Sequence, residues 1–142
     1  MKIMQISLFV ENQIGSLNAV AKVLKENNIN IYTLSLADTD KFGILRLLVR
    51  DPEAAQAALE KAGMVTKVTE VLAIPVPDRP GGLSELLEKL DVFGLSIEYM
   101  YAFTNGASGS AIMVFRFEDV DKALAALQEA GISAVGHEDL FA

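Results

Sequence analysis

The sequence predicts an α+β fold made of two tandem β-α-β-β-α-β units, each an antiparallel sheet with its helices on one face. Three observations predict it. Apolar residues switch between strand spacing and helical spacing in that order. The order then runs a second time. Long stretches of the first half also superpose on the second without a gap. At 142 residues the chain suits one ordinary domain or two small ones, so the repeat decides the count.

Taken in order, Gln5-Ile6-Ser7-Leu8-Phe9-Val10 is a β-rich, partly alternating run that ends at the turn-like Glu11-Asn12-Gln13-Ile14-Gly15. From Ser16, the apolar Leu17, Val20, Ala21, Val23 and Leu24 fall at helical spacing, with Ser16 expected as the cap and Asn27-Asn28 as the stop. Residues 29–36 alternate as a strand, break over 38–43 and resume over 44–49, which is a hairpin. Asp51-Pro52 opens a helix over 53–62, because proline suits the first helical position, and Gly63 ends it. Residues 65–76 form one long β-rich segment.

That segment runs directly into Pro77-Asp78-Arg79-Pro80-Gly81-Gly82-Leu83, followed by a helical stretch over 84–90 and a strand over 95–103. A Gly-rich turn is expected over 104–110, a partner strand over 111–117, a helix over 119–130 and a last strand over 132–141. A shift of 66 places Val10 on Val76, Gly15 on Gly81, Leu17 on Leu83 and Leu24 on Leu90; a shift of 68 places Asp51 on Asp119 and Leu59 on Leu127. The two-residue difference falls in the hairpin turn, where insertions are tolerated. The repeats are therefore set at 1–68 and 69–142, with almost no linker. A unit of this order is ferredoxin-like, and at roughly 70 residues its core is marginal, so its open face or edges are expected to be covered by the other copy or by a second chain.

Composition excludes several classes of function. The chain is 51% apolar and 22% charged, and no apolar run approaches the roughly 20 residues that a membrane span needs. No membrane partner is expected, and with no signal-like N-terminus the cytoplasm is the expected location. A net charge of −7 opposes phosphate binding, so no nucleic acid is expected. The absence of cysteine removes thiolate chemistry and disulfides. His137 is the single histidine, and on an alternating strand it cannot converge with both Glu138 and Asp139. It is expected to face solvent, with no metal site. The 104–110 turn lacks the lysine and following helix of a phosphate loop, so no cofactor is expected. Tyr99, Tyr101 and Phe103 share one strand face, suited to an inter-domain or dimer contact, with Met100 on the other.

The turn after the first strand of each half narrows the fold to a family. Asp78-Arg79-Pro80-Gly81-Gly82-Leu83 resembles the D-x-P-G-x-L signature of ACT domains, and Glu11-Asn12-Gln13-Ile14-Gly15-Ser16-Leu17 resembles its E-N-x-x-G-x-L variant, with Ile14 in place of proline. The resemblance covers essentially the whole chain. It implies that a free amino acid binds at the loop, and the candidate residues are Asn12, Gln13, Ile14, Gly15, Ser16 and Asn30 in the first copy, and Asp78, Arg79, Pro80, Gly81, Gly82 and Ser96 in the second. The first copy is similar to serine-sensing ACT domains, whose asparagine pair matches Asn12 and Asn30; Asp78 and Ser96 stand at these positions in the second.

The motif also makes physical sense. Glycine allows close backbone approach, and the N-terminus of the following helix suits a carboxylate. Asp78, Asn12 or loop carbonyls would accept from the ammonium group, while Leu17 and Leu83 would anchor the helix to the sheet. Each residue has a plainer reading too: the glycines serve the turn, Asn12 and Asp78 cap a helix, and Asn30 is merely exposed. The expected function is a non-enzymatic regulatory module, a homodimer with an enzyme of amino-acid metabolism as its partner. Two rivals stand beside it. One is an assembly protein without a ligand; the other is an acylphosphatase-like enzyme, for which Arg79 lacks a second catalytic element.

Overall fold

The computed structural model describes residues 1–38, 41–103 and 110–142. The Gly-rich turn expected over 104–110, apart from Ser110, lies outside them. The chain divides into two compact units: Met4–Thr69 with Phe141, and Met1–Ile3 with Glu70–Leu140 and Ala142. No described helix is long and apolar enough to cross a membrane.

The first unit carries β1 (Ile3–Glu11), α1 (Ser16–Glu26), β2 (Thr33–Asp38), β3 (Phe42–Leu48), α2 (Pro52–Lys61) and the start of β4 (Thr66–Pro77). β3 pairs antiparallel with β1 on one side and β2 on the other, with Leu8 opposite Leu45 and Leu36 also opposite Leu45. Strand alternation sends Ile6, Leu8, Val10, Leu45 and Leu47 to one face. There they meet Val20 and Leu24 of α1 and Ala55 and Leu59 of α2 in a single core. Phe141 completes this unit: it is 1% exposed, its ring meets Tyr32 edge-on at 4.8 Å, and its carbonyl accepts a 3.0 Å bond from Arg50 Nη1.

The second unit repeats the plan with the rest of β4, α3 (Gly82–Val92), β5 (Ile97–Phe103), β6 (Ser110–Phe117), α4 (Val120–Glu129) and α5 (His137–Leu140). β6 pairs antiparallel with β4 and β5. The core matches the first position by position: Leu72, Ile74, Val76, Leu86 and Leu90 stand 66 residues after Ile6, Leu8, Val10, Val20 and Leu24. Phe115, Phe117, Ala123 and Leu127 stand 68 after Leu47, Val49, Ala55 and Leu59. Phe115 and Phe117 stack at 5.4 Å, filling the place of the smaller Leu47 and Val49. Lys2 lies between Glu70 (3.0 Å) and Asp121 (2.9 Å). Hydrogen bonds to Asp121 and Glu70 hold its ammonium pKa above the ordinary value.

Helix ends repeat as closely as the cores. Asp51 and Asp119 each accept from the backbone N–H three residues on, at 3.0 Å, as N-cap carboxylates do. The first helix of each unit ends in a left-handed residue, Asn28 at φ 56 and Gly94 at φ 65. Asn28 N–H donates to the Lys25 carbonyl and Ile29 N–H to that of Leu24, closing the end of α1. The stop expected at Asn27-Asn28 is thus present.

Three expectations are corrected. The strand expected from residue 29 begins only at Thr33, because the left-handed turn at Asn28 swings the chain and Ile29 and Ile31 pack on the core from an irregular segment. The last strand expected over 132–141 reduces to one bridge, Val135 to Ala73, after which Leu140 N–H bonds the Gly136 carbonyl and the chain coils into α5. His137 consequently opens that helical turn, half-buried, instead of facing solvent from a strand. Met100 does turn to the core side, opposite Tyr99 and Tyr101, which stand across from Arg116 and Val114; the Phe103 backbone pairs with Ile112.

Candidate functional site

The loops joining the first strand and first helix of each unit share one hydrogen-bond scheme. In the first, Gln13 N–H donates to Glu11 O (2.8 Å), Ser16 N–H to Gln13 O (3.3 Å) and Ala19 N–H to Gly15 O (2.9 Å). In the second, Arg79 N–H donates to Pro77 O (3.0 Å), Gly82 N–H to Arg79 O (3.0 Å) and Glu85 N–H to Gly81 O (2.9 Å). Gly15 and Gly81 both sit at the helix N-cap with left-handed backbones, φ 91 and φ 87, a conformation costly for any residue with a Cβ.

Because glycine occupies the cap, neither α1 nor α3 has a side-chain cap, unlike the aspartate-capped α2 and α4. Ser16, expected as the cap, is the first helical residue, and neither Asn12 nor Asp78 fills the role. Beyond Ser16 and Gly82, whose N–H groups are held by loop carbonyls, the N–H groups of Leu17 and Asn18 in α1 and of Leu83 and Ser84 in α3 receive no side-chain cap and suit an anion.

Beside the first loop lies an open cavity of about 250 Å³, lined by Val10, Glu11, Asn12, Gln13, Leu17, Leu36 and Gly43. The polar residues form its rim. Asn12 N–H is held by the Lys41 carbonyl at 3.1 Å, and Gln13 Nε2 donates to Glu11 Oε2 at 2.7 Å. Of the apolar lining, Val10 and Gly43 are buried. Val10 and Gly43 face each other across β1 and β3, and Leu36 leans over the glycine, its Cδ1 2.8 Å from where a Gly43 Cβ would stand. Leu17 and Leu36 are 41% and 50% exposed.

Of the expected residues, Asn12 and Gln13 line this cavity. Gly15 and Ser16 shape the helix start beside it, while Ile14 points fully into solvent. Asn30 is exposed in the segment before β2 and is not among the lining residues, so the expected asparagine pair does not meet there. In the second loop Asp78, Pro80 and Gly81 are exposed, and Arg79 folds back on Glu85 through two 3.0 Å bonds. Gly82 is buried against the Pro77 carbonyl, leaving no space for a Cβ. Ser96 instead borders a separate cavity of about 60 Å³ near Glu118 and Asp119.

Glu11, Leu36, Gly43 and Val10 are lining residues that sequence reasoning did not single out. Leu17 was expected as an anchor, but the residues of α1 that are buried are Val20 and Leu24. The signal available was Gly43, a glycine beside an apolar strand pattern, which marks close approach or a gap.

The sequence matches the ACT domain pair family over residues 1–142. A crystal structure of a protein from Bacteroides thetaiotaomicron is 38% identical and superposes with a TM-score of 0.92, covering 99% of this chain and 96% of that one. The ligand-free regulatory subunit of aspartate kinase from Thermus thermophilus shares the fold at 17% identity and a TM-score of 0.62, over 89% of this chain and 91% of its own. The corresponding subunit from Thermus flavus does so at 19% and 0.62, over 90% and 92%. No curated protein matches the chain. With two strand–glycine–helix loops on two matching cores, this chain belongs to the ACT domain pair family.

Proposed function

We propose that the chain is a regulatory module that binds a free amino acid beside the loop between β1 and α1, and passes that state to an enzyme of amino-acid metabolism. The observation that carries this reading is the cavity at the uncapped start of α1. Backbone N–H groups suit the ligand carboxylate, and Asn12, Gln13 and the Glu11 carboxylate stand at the rim for its ammonium. The partner enzyme rests on the setting in which ACT domains act, as does residence in the cytoplasm. Signalling further requires that the amino acid bind one state of the module, or of its complex, better than another.

A second reading, assembly without a ligand, draws on uncovered apolar side chains: Phe9 is 71% exposed and Val92 82%. Such surface suits a homodimer contact.

The test is a thermal-shift series of the full chain with each proteinogenic amino acid at millimolar concentration. A ligand at one hundred times its Kd stabilises the native state by about 2.7 kcal/mol. A selective rise that Asn12→Ala abolishes supports the sensor. Flat curves throughout, together with a dimer by light scattering, favour assembly.

A further inference from the structure

The apolar lining of the cavity differs between the two repeats. In the first, Gly43 stands opposite Val10, and the tip of Leu36 occupies the space its missing side chain leaves, so that Leu36 walls the cavity together with Leu17. Leu36 lies across from Leu45 and so on the same, helix-bearing face of the sheet. In the second, Ala111 stands opposite Val76, and Ala102 opposite Met113 takes the place of Leu36. A methyl group thus takes the glycine's place, and the leucine wall is absent. The rim changes too: Pro77 replaces the Glu11 carboxylate, and Arg79, paired to Glu85, replaces Gln13.

Val10, Leu17, Leu36 and Gly43 offer no side-chain hydrogen-bond partner to a ligand. A polar side chain lodged there would lose water without replacement, whereas an aliphatic one would cover leucine surface that is now about half exposed. Size agrees. An aliphatic-lined space of ~150 Å³ holds a benzene-sized group, so about 250 Å³ leaves room for a branched aliphatic side chain and part of the main chain. The Glu11 carboxylate at the rim opposes acidic side chains.

Resting on the amino-acid-binding reading above, we propose that the first repeat alone binds, and that it selects an aliphatic amino acid of the valine, leucine and isoleucine class, its side chain lodged against Leu17 and Leu36. Each buried methylene is worth about fourfold in affinity, so partial burial makes the preferred aliphatic ligand roughly tenfold or more tighter than alanine or serine.

The experiment is isothermal titration of the full chain with valine, leucine, isoleucine, alanine, serine and asparagine, repeated on Leu36→Ala and Gly43→Ala. Leu36 is half-exposed, so its truncation leaves the core intact; the Gly43→Ala methyl crowds the flexible tip of Leu36 and makes ordinary contact with the Ala37 carbonyl. The result expected is one site per chain, aliphatic ligands tightest, and a loss of roughly fivefold or more for leucine in both variants. Tightest binding of serine or asparagine, two equal sites, or unchanged leucine affinity in Leu36→Ala would overturn the selectivity while leaving amino-acid binding in place. No binding of any amino acid would overturn the underlying reading as well.

Discussion

Phe141→Ala is the sharpest test of how the first unit is completed. The ring is 1% exposed and edge-on to Tyr32 at 4.8 Å. Withdrawing a large apolar side chain from such a place forfeits about 1.5–3 kcal/mol of burial, and the aromatic pair adds about 0.5–1.5 kcal/mol. Buried Phe→Ala changes cost about 3–5 kcal/mol when the void persists. The burial and ring-pairing contributions together point to the low end, about 3 kcal/mol. For a chain of this size that is a fall in Tm of about 6–12 °C, read by circular dichroism on melting and cross-checked by urea unfolding. The Arg50 bond is to the Phe141 carbonyl and survives the substitution, so the loss belongs to the ring. A cycle of Tyr32→Leu and Phe141→Leu should give a coupling of about 0.5–1.5 kcal/mol. A Tm within about 2 °C of the parent would mean that the ring is not packed against Tyr32.

Other expectations follow from single contacts. Gly82→Ala puts a Cβ into the Pro77 carbonyl and should destabilise by about 1–3 kcal/mol, although serine is tolerated at the matching Ser16; equal melting of variant and parent would refute the clash. Asn28→Gly relieves a left-handed non-glycine residue and should stabilise by several tenths of a kcal/mol, seen as a higher urea midpoint, whereas Asn28→Ala should lower it. Lys2 has its pKa raised above 10.5 by hydrogen bonds to Asp121 and then Glu70. Its contribution is therefore fully present below 10.5 and is lost as pH climbs through the raised value. Between pH 10 and 12 the parent should lose more stability than Lys2→Gln; parallel decline of the two would show that the ammonium is not held.

Much of this architecture could be read from residue spacing because side chains report backbone period directly. Ile6, Leu8 and Val10 declare a strand face, and Val20 and Leu24 a helix face, whatever surrounds them. Features that depend on partners across space could not be read this way. Ser16 has the chemistry of a cap, but the bonds from Ser16 to Gln13 and from Ala19 to Gly15 start the helix one residue earlier, on a glycine. The alternation over 132–141 looks like a strand, yet among the described residues only Val135 makes a bridge to a neighbouring strand. At the site, Asn12 and Gln13 were legible from the loop motif. Gly43 and Leu36 were not, since the wall exists only through the pairing of Gly43 with Val10 and the lean of Leu36 into the space beside the glycine.

β4 runs without interruption from Thr66 to Pro77, and the boundary between the two units falls inside it, between Thr69 and Glu70. That imposes a parity rule on the sequence. One residue inserted near this boundary would turn Leu72, Ile74 and Val76 to the opposite face relative to Thr66 and Val68, because side-chain direction alternates strictly along a strand. Two inserted residues would restore the alternation.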